Sequence, residues 1–480
     1  MYKVGISVLA MLCVLCPLMA HSAESSTGEG PNLGPDRTTQ AQIEAGLSVD
    51  QMIEAGGRMF TTPFNKFDGY GDGPYDASMD PRSFGARPSL QGNGTFLRVN
   101  GLDAQTCLEC HFITRNSTIP ATLGIGGVAG AGGSVIFMPS FVDVAESQPG
   151  KFNGRLINPP FLFGSGGVEL VAKEMTVRLQ QLRAEAFSKP SIRVPLETKG
   201  VSFGSIVADG QGGLDTSEVE GMDEDLVVRP FGRKGEFATV RDFDVAAMRF
   251  HFGMEPVEEV GEGVDGDGDG VGDEILVGEL SVLHIFNTNL PSPVMEGLDM
   301  SAMRGLAAFV RIGCAFCHRP FLNSESRSLA YAYPEIDTDP GANVYYESDL
   351  SETAGFTLND NGGILAPLFS DLKRHDMGSQ LKESFDLVDD QRNREFITAR
   401  LWGVRDTAPY LHDGRALTLR EAILLHGGEA QNARDEFVSL PVDRADHVIA
   451  FLYCLRTPVD NPAVQHENGD RIDRWSVFSE

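Results

Sequence analysis

Tryptophan is almost missing from this chain, with two in 480 residues, at positions 402 and 475. Basic side chains are scarce as well: 39 Lys and Arg face 68 Asp and Glu, for a net charge of −29. That deficit excludes a phosphate-tracking nucleic-acid binder, whose affinity rests on Lys and Arg neutralising phosphates. It also argues against docking on an anionic membrane surface. Past the N-terminal segment no apolar run approaches the roughly 20 residues that a spanning helix needs. Seven cysteines are too few for a disulfide-stapled miniprotein, and a chain of this length has core enough without them. By contrast, 54 glycines and 26 prolines predict much irregular backbone, while 41% apolar content and 29 Phe exclude a wholly disordered chain. The length predicts two or three domains.

The first 23 residues read as an address. Lys3 precedes the apolar stretch Val8–Cys16, followed by Pro17 and small residues up to Ala23, the layout of a cleaved secretory signal peptide. Export, to the periplasm by expectation, follows, with no membrane anchor after cleavage. Loss of Lys3 takes the mature charge from −29 to −30.

Cys13 and Cys16 leave with the leader, so Cys107, Cys110, Cys314, Cys317 and Cys454 remain. An odd number outside the cytoplasm is no simple disulfide framework. Four of the five stand in Cys107-Leu108-Glu109-Cys110-His111 and Cys314-Ala315-Phe316-Cys317-His318, two copies of C-x-x-C-H. That spacing is the attachment signal for c-type haem: two thiols reach the porphyrin vinyl groups and the next imidazole comes up beneath the iron. A zinc site would leave both histidines unused, and neither pair has the βαβ setting of a redox dithiol. Two covalently bound haem c groups are expected, with His111 and His318 as iron ligands.

A repeat supports two haem units. Arg304-Gly305 through Phe309 leads into Cys314, and Gly56-Gly57-Arg58-Met59-Phe60 stands upstream of Cys107. Leu283–Phe286 and Val448–Phe451 each precede a Leu one helical turn on and a Pro three further. The expected layout is a signal peptide at 1–23, a mobile N-terminal segment at 24–50, an enlarged first cytochrome c-like haem domain at 51–295, a second at 296–462 and a polar tail at 463–480. Few stretches alternate with strand period, so the expected fold is mostly α with long irregular loops and insertions.

The stretch Thr407-Ala408-Pro409-Tyr410-Leu411-His412-Asp413-Gly414-Arg415, continuing Thr418-Leu419-Arg420-Glu421-Ala422-Ile423, resembles the C-terminal half of bacterial di-haem cytochrome c peroxidases and their methylamine-utilisation relatives. With His426-Gly427-Gly428-Glu429-Ala430 and His375-Asp376-Met377-Gly378, it is most similar to the branch labelled di-haem thiol oxidoreductases. The likeness is close over about 300–458 and looser before that, through Gly56–Phe60, the first C-x-x-C-H and Asn158–Gly164.

The resemblance implies roles. In the peroxidases the distal ligand of the electron-transfer haem, usually Met, lies fourteen residues after the His of the Tyr-x-His-Asp-Gly segment. Here that position is His426. It is either a second imidazole ligand of haem two or a C-terminal helix cap. A bis-His haem would have a lowered potential, unlike the high-potential relay of the peroxidases. His412 and Asp413 either shape the haem pocket or sit in a solvated turn. No histidine lies between His111 and His251, so the family's capping loop histidine is missing and haem one could be open, unless Met138, His251 or another group closes it. Glu169 stands where the family has its distal glutamate, the group that moves a proton between the two peroxide oxygens. Equally, it could be a favourable carboxylate near a helix start. The family's bridging tryptophan is missing, since Trp402 and Trp475 both follow the second haem motif.

Asp265-Gly-Asp267-Gly-Asp269-Gly270-Val271-Gly272-Asp273 matches the start of an EF-hand loop, but position twelve is Leu276, not Glu. Asp265, Asp267, Asp269 and Asp273 are candidate calcium ligands, or an acidic turn. Cys454, on an apolar helix, reads as a small buried hydrophobe. The expected function is an exported, peroxidase-like di-haem c-type oxidoreductase: haem one reacts with a small oxidant such as hydrogen peroxide, and haem two relays electrons from a redox partner protein or small donor. Given the acidic chain, a protein partner would be basic. The alternative is a non-catalytic di-haem electron carrier with both irons six-coordinate.

Overall fold

A computed structural model describes residues 29–71, 104–111, 140–145, 148–152, 158–160, 162–383 and 390–458. The leader, the tail, Met138, Arg155 and Trp475 lie outside them.

The molecule is organised around two helix pairs built to the same plan. Val49–Thr61 starts at a capping box between Ser48 and Gln51 and buries Met52, Ala55, Gly56, Met59 and Phe60. It packs on Val277–Thr288. A Cβ on Gly56 would collide with the carbonyl of Val282, so only glycine allows this approach. One turn on, Phe60 meets Phe286 with ring centres 5.4 Å apart. In the second pair Met300–Arg311, capped by Asp299, packs on Val442–Leu452. A Cβ on Gly305 would strike the carbonyl of His447, and Phe309 meets Phe451, also at 5.4 Å. The glycine, the carbonyl it admits and the phenylalanine pair recur at the same spacings, so the sequence repeat is a repeat of packing.

The fold is mixed α/β, which corrects the expectation of a mostly α chain. Among the described residues there are six small antiparallel sheets. The largest joins Arg193–Thr198, Val201–Ala208 and Leu214–Val219 and packs on the 24-residue helix Ser165–Ser188. Its first strand alternates exposed and buried residues along its length. The strands of the other sheets run only two to six residues, too short for the period to show.

Two apolar cores follow the helix pairs. The second holds Met295, Phe309, Phe369, Phe437, Phe451 and Leu455. The first takes in not only Met52, Phe60 and Leu283 but also Leu322, Tyr331, Leu350 and Trp402, which lie beyond residue 296. The described part of the stretch expected to be mobile is anchored: Leu33 N–H donates to Asp68, and Arg37 pairs with Glu279.

Candidate functional site: two C-x-x-C-H turns

Both C-x-x-C-H segments fold alike. Cys107–Glu109 and Cys314–Phe316 are single 3₁₀ turns, and in each the histidine N–H donates to the carbonyl of the first cysteine at 2.9 Å. None of the four cysteines forms a disulfide. The Nδ1 of each histidine bonds a backbone carbonyl: His111 to Pro160 at 2.9 Å and His318 to Phe369 at 3.0 Å. Such a bond fixes the ring and leaves Nε2 for a metal. Burial depresses both imidazoles to about 4, so each is a neutral donor of electrons at neutral pH.

At the second turn another imidazole stands opposite. Thr418 and Glu421 form the expected capping box on Leu419–Leu425, and the helix delivers His426 at its C-cap. Its Nδ1 bonds the carbonyl of Ala422 at 2.8 Å, and burial lowers its pKa too. The rings of His318 and His426 are 6.3 Å apart between centres. A metal-bound imidazole nitrogen is about 2 Å from the ion and the ring centre about 1.2 Å behind it, so two imidazoles sharing one ion have centres about 6 Å apart. The residues present fit an iron held between two histidines and a porphyrin held by Cys314 and Cys317. Nearby, His375 bonds Asp371 at 2.9 Å and Glu429 at 2.7 Å. Burial works against its charge, but these carboxylates and Cys317 push it up to about 12.

Residues 281–455 match the family described as "Di-haem oxidoreductase, putative peroxidase". The match covers the second C-x-x-C-H turn and the helix that delivers His426, and marks this part of the chain as similar to the di-haem oxidoreductases. The family name implies two haems, in accord with the two turns. No curated protein matches the chain. Among solved structures, a MauG-like protein associated with microbial copper homeostasis is 14% identical, with 89% of this chain and 92% of that one covered and a TM-score of 0.33. Hydrazine synthase of Kuenenia stuttgartiensis, pressurised with xenon, is 16% identical over 59% of this chain and 92% of that one, with a TM-score of 0.29. Among the described residues no helix is long and apolar enough to cross a membrane.

The first turn has different surroundings. Thr106 caps it and donates to the carbonyl of Phe60 at 2.9 Å, tying it to the first helix pair. The helix Val240–Ala247 continues into a single π-helical turn, Met248–Phe252, which carries His251. His251 is near enough that its charge disfavours protonation of His111, after burial, the main cause. Asp244, on the same helix, is near enough to raise the Cys107 thiol, again after burial. The Asp244 carboxyl accepts from Asn287 Nδ2 at 3.0 Å, and burial pushes it well above the usual carboxylate range.

Glu169 is fully buried and heavily engaged. Its carboxylate accepts from Val240 N–H at 2.9 Å, contacts His284 Nε2 at 2.9 Å and pairs with Lys173 at 2.9 Å. Burial opposes its charge, but His284, Lys173 and the Val240 N–H hold it down to about 2. Lys173 is shared with Glu335 at 3.1 Å. This network had no sequence signal beyond Glu169 and Lys173 lying one helical turn apart. Trp402 is buried against Gly164, Pro293 and Phe356, in the first core. His412 stacks on Phe396 at 4.4 Å and is lowered to about 4 by burial, while Asp413 holds Arg415. Cys454 is buried, with its thiol against the carbonyls of Gly297 and Ala450.

A strut missed from sequence joins the first turn to the loop around His412. Asn158 donates its side-chain amide to Pro409 at 2.7 Å and Leu411 at 3.0 Å, and its N–H to His412 at 2.9 Å. Two residues on, Pro160 accepts from His111. His111 is thus linked by three residues of chain to the Tyr-Leu-His-Asp-Gly loop.

In the acidic loop Asp265, Asp267 and Asp269 come together, whereas Asp273 stands apart and accepts from Gly263 N–H at 2.6 Å. Glu255 and Glu274 join Asp267 from behind. Burial, then mutual repulsion, raises Asp267 to about 7 and Glu274 to about 9.

Proposed function

We propose that the chain is an exported di-haem c-type oxidoreductase of peroxidase-like type. Cys107, Cys110 and His111 hold the reactive centre, which takes a small oxidant such as hydrogen peroxide. Cys314, Cys317, His318 and His426 hold the centre that relays electrons from a redox partner. Covalent haem c, when bound, supplies the one-electron chemistry. The observation that carries the reading is the contrast between the two turns: His318 has a second imidazole at a metal-sharing distance, whereas the first turn has the buried Asp244 within electrostatic reach of Cys107.

The chain's own residues divide the remaining work. The carbonyls of Pro160, Phe369 and Ala422 orient three imidazoles with Nε2 free for iron. For proton transfer Glu169 was the expected group, but a carboxylate held near 2 by a lysine and a histidine is a weak base and a poor acid at neutral pH. Asp244, whose carboxyl burial pushes well above the usual carboxylate range and which lies within electrostatic reach of Cys107, is the better acid. Glu169 instead anchors the start of the helix that carries Asp244, through Val240 N–H.

One observation favours the second reading, a non-catalytic electron carrier. His251, beside His111, could make the first iron six-coordinate as well. Electron paramagnetic resonance of the ferric holoprotein decides between them. A high-spin component beside one low-spin haem supports the oxidoreductase, and two low-spin haems support the carrier. His426→Ala is expected to remove one low-spin signal completely while both haems remain attached; an unchanged spectrum would sink the ligand assignment.

A further inference from the structure

The acidic loop found in the sequence is only the outer part of a buried carboxylate cluster. Glu255, outside the loop, and Glu274, at its tenth position and not among the expected ligands, meet Asp267 in the interior, where Glu255, Glu274 and Asp267 are 3%, 1% and 2% exposed. One oxygen of each is already used. Glu255 Oε2 accepts from Gly266 N–H at 2.7 Å, Glu274 Oε2 from Glu255 N–H at 2.6 Å and Asp267 Oδ1 from Asp269 N–H at 3.0 Å. The other oxygens, Glu255 Oε1, Glu274 Oε1 and Asp267 Oδ2, are buried without a hydrogen-bond partner.

Three orphaned acceptors of like charge in one buried place carry two penalties, lost hydration and mutual repulsion. A single cation removes both. Oxygens bound to one Ca²⁺ at about 2.4 Å stand no more than about 4.8 Å apart, and a ligand oxygen from each of the three lies within 4.8 Å of the others. The donors are all carboxylate oxygens, which selects a hard ion. A buried irregular cluster leaves little room for the water shell that Mg²⁺ retains, which selects Ca²⁺.

We infer that Glu255, Asp267 and Glu274 form a buried Ca²⁺ site, with Asp265 and Asp269 at its outer side. The site is a staple behind the first haem turn. Glu255 follows His251 by four residues, Val257 N–H bonds the carbonyl of Ile275 at 2.9 Å, and Gly69 packs directly on the Glu274 carboxyl. Gly71 N–H in turn bonds Phe252, at the end of the π-turn. The ion therefore joins the π-turn, the loop after the first helix and the entry to Val277–Thr288.

The test is titration of chelator-treated holoprotein with Ca²⁺, read by calorimetry and by the thermal unfolding midpoint, with Tb³⁺ luminescence as a second probe. One Ca²⁺ per chain is expected, with a rise in midpoint. Glu255→Gln and Glu274→Gln should each weaken binding tenfold or more, with the Soret band confirming that the variants are folded. Calcium uptake that survives both substitutions but is abolished by Asp265→Asn would overturn the proposal in favour of the surface loop alone. Should the variants fail to fold, wild-type holoprotein still decides: no heat, no midpoint shift and no Tb³⁺ signal at millimolar ion would overturn it.

Discussion

The two helix pairs are near copies, yet the turns they support are not. Gly56 and Gly305 admit a partner carbonyl in the same way, and Phe60–Phe286 and Phe309–Phe451 pack at the same distance. Beyond that common frame, the second unit spends a short capped helix on bringing one imidazole opposite another. The first spends a π-turn, a buried acid and a buried ion-pair network on the region around His111. A scaffold that positions a haem is thus separable from the residues that decide what the haem meets.

The largest effect on this comparison is expected at Glu169, which has no counterpart in the second unit. Glu169→Gln leaves Lys173 and His284 without their shared carboxylate, and loss of one partner of a buried pair costs about 3–5 kcal/mol. Chemical denaturation of wild type and variant measures it. Because the folded-state pKa of Glu169, about 2, lies below its ordinary 4.5, the stability it contributes is present above about pH 4.5 and is lost as pH falls towards 2. The variant should lack that component of acid sensitivity. An equal response to acid in both proteins would remove Glu169 from the account.

Next in size is the glycine crossing. Gly56→Ala and Gly305→Ala each drive a methyl into a backbone carbonyl, an overpacking cost of about 1–3 kcal/mol. The two losses should be similar. A large cost at one glycine and none at the other would break the equivalence of the pairs. The smallest effect is expected from Asn158→Ala, which removes two side-chain hydrogen bonds worth about 1 kcal/mol each. Its sharper readout is the visible spectrum of the first haem, which should shift because Pro160 no longer holds His111 from a fixed position. A spectrum and stability unchanged from wild type would reduce the strut to a surface contact.

The sequence was legible wherever function requires residues adjacent in the chain. The C-x-x-C-H turns, the capping box that presents His426 and the repeat of glycine and phenylalanine are local patterns, and the structure arranges each as its spacing implies. The inserted strands were not legible, because segments of two to six residues show too little alternation. Nor did Glu169 declare its surroundings: its helical neighbour Lys173 was visible, but His284 and Val240 arrive from elements more than 70 residues away.

By itself, then, the sequence determined the two C-x-x-C-H turns, the frame that holds them and the capped helix that ends at His426, because local spacing and helical period encode all of these. Tertiary structure alone decided that Leu322, Tyr331 and Trp402 would complete the first core rather than the second. It also placed Asp244 and His251 near the first turn, joined that turn to the loop around His412 through Asn158 and closed Glu255 and Glu274 over Asp267. Each of those outcomes depends on burial and on contacts between distant segments, and no local pattern records which buried charges will meet.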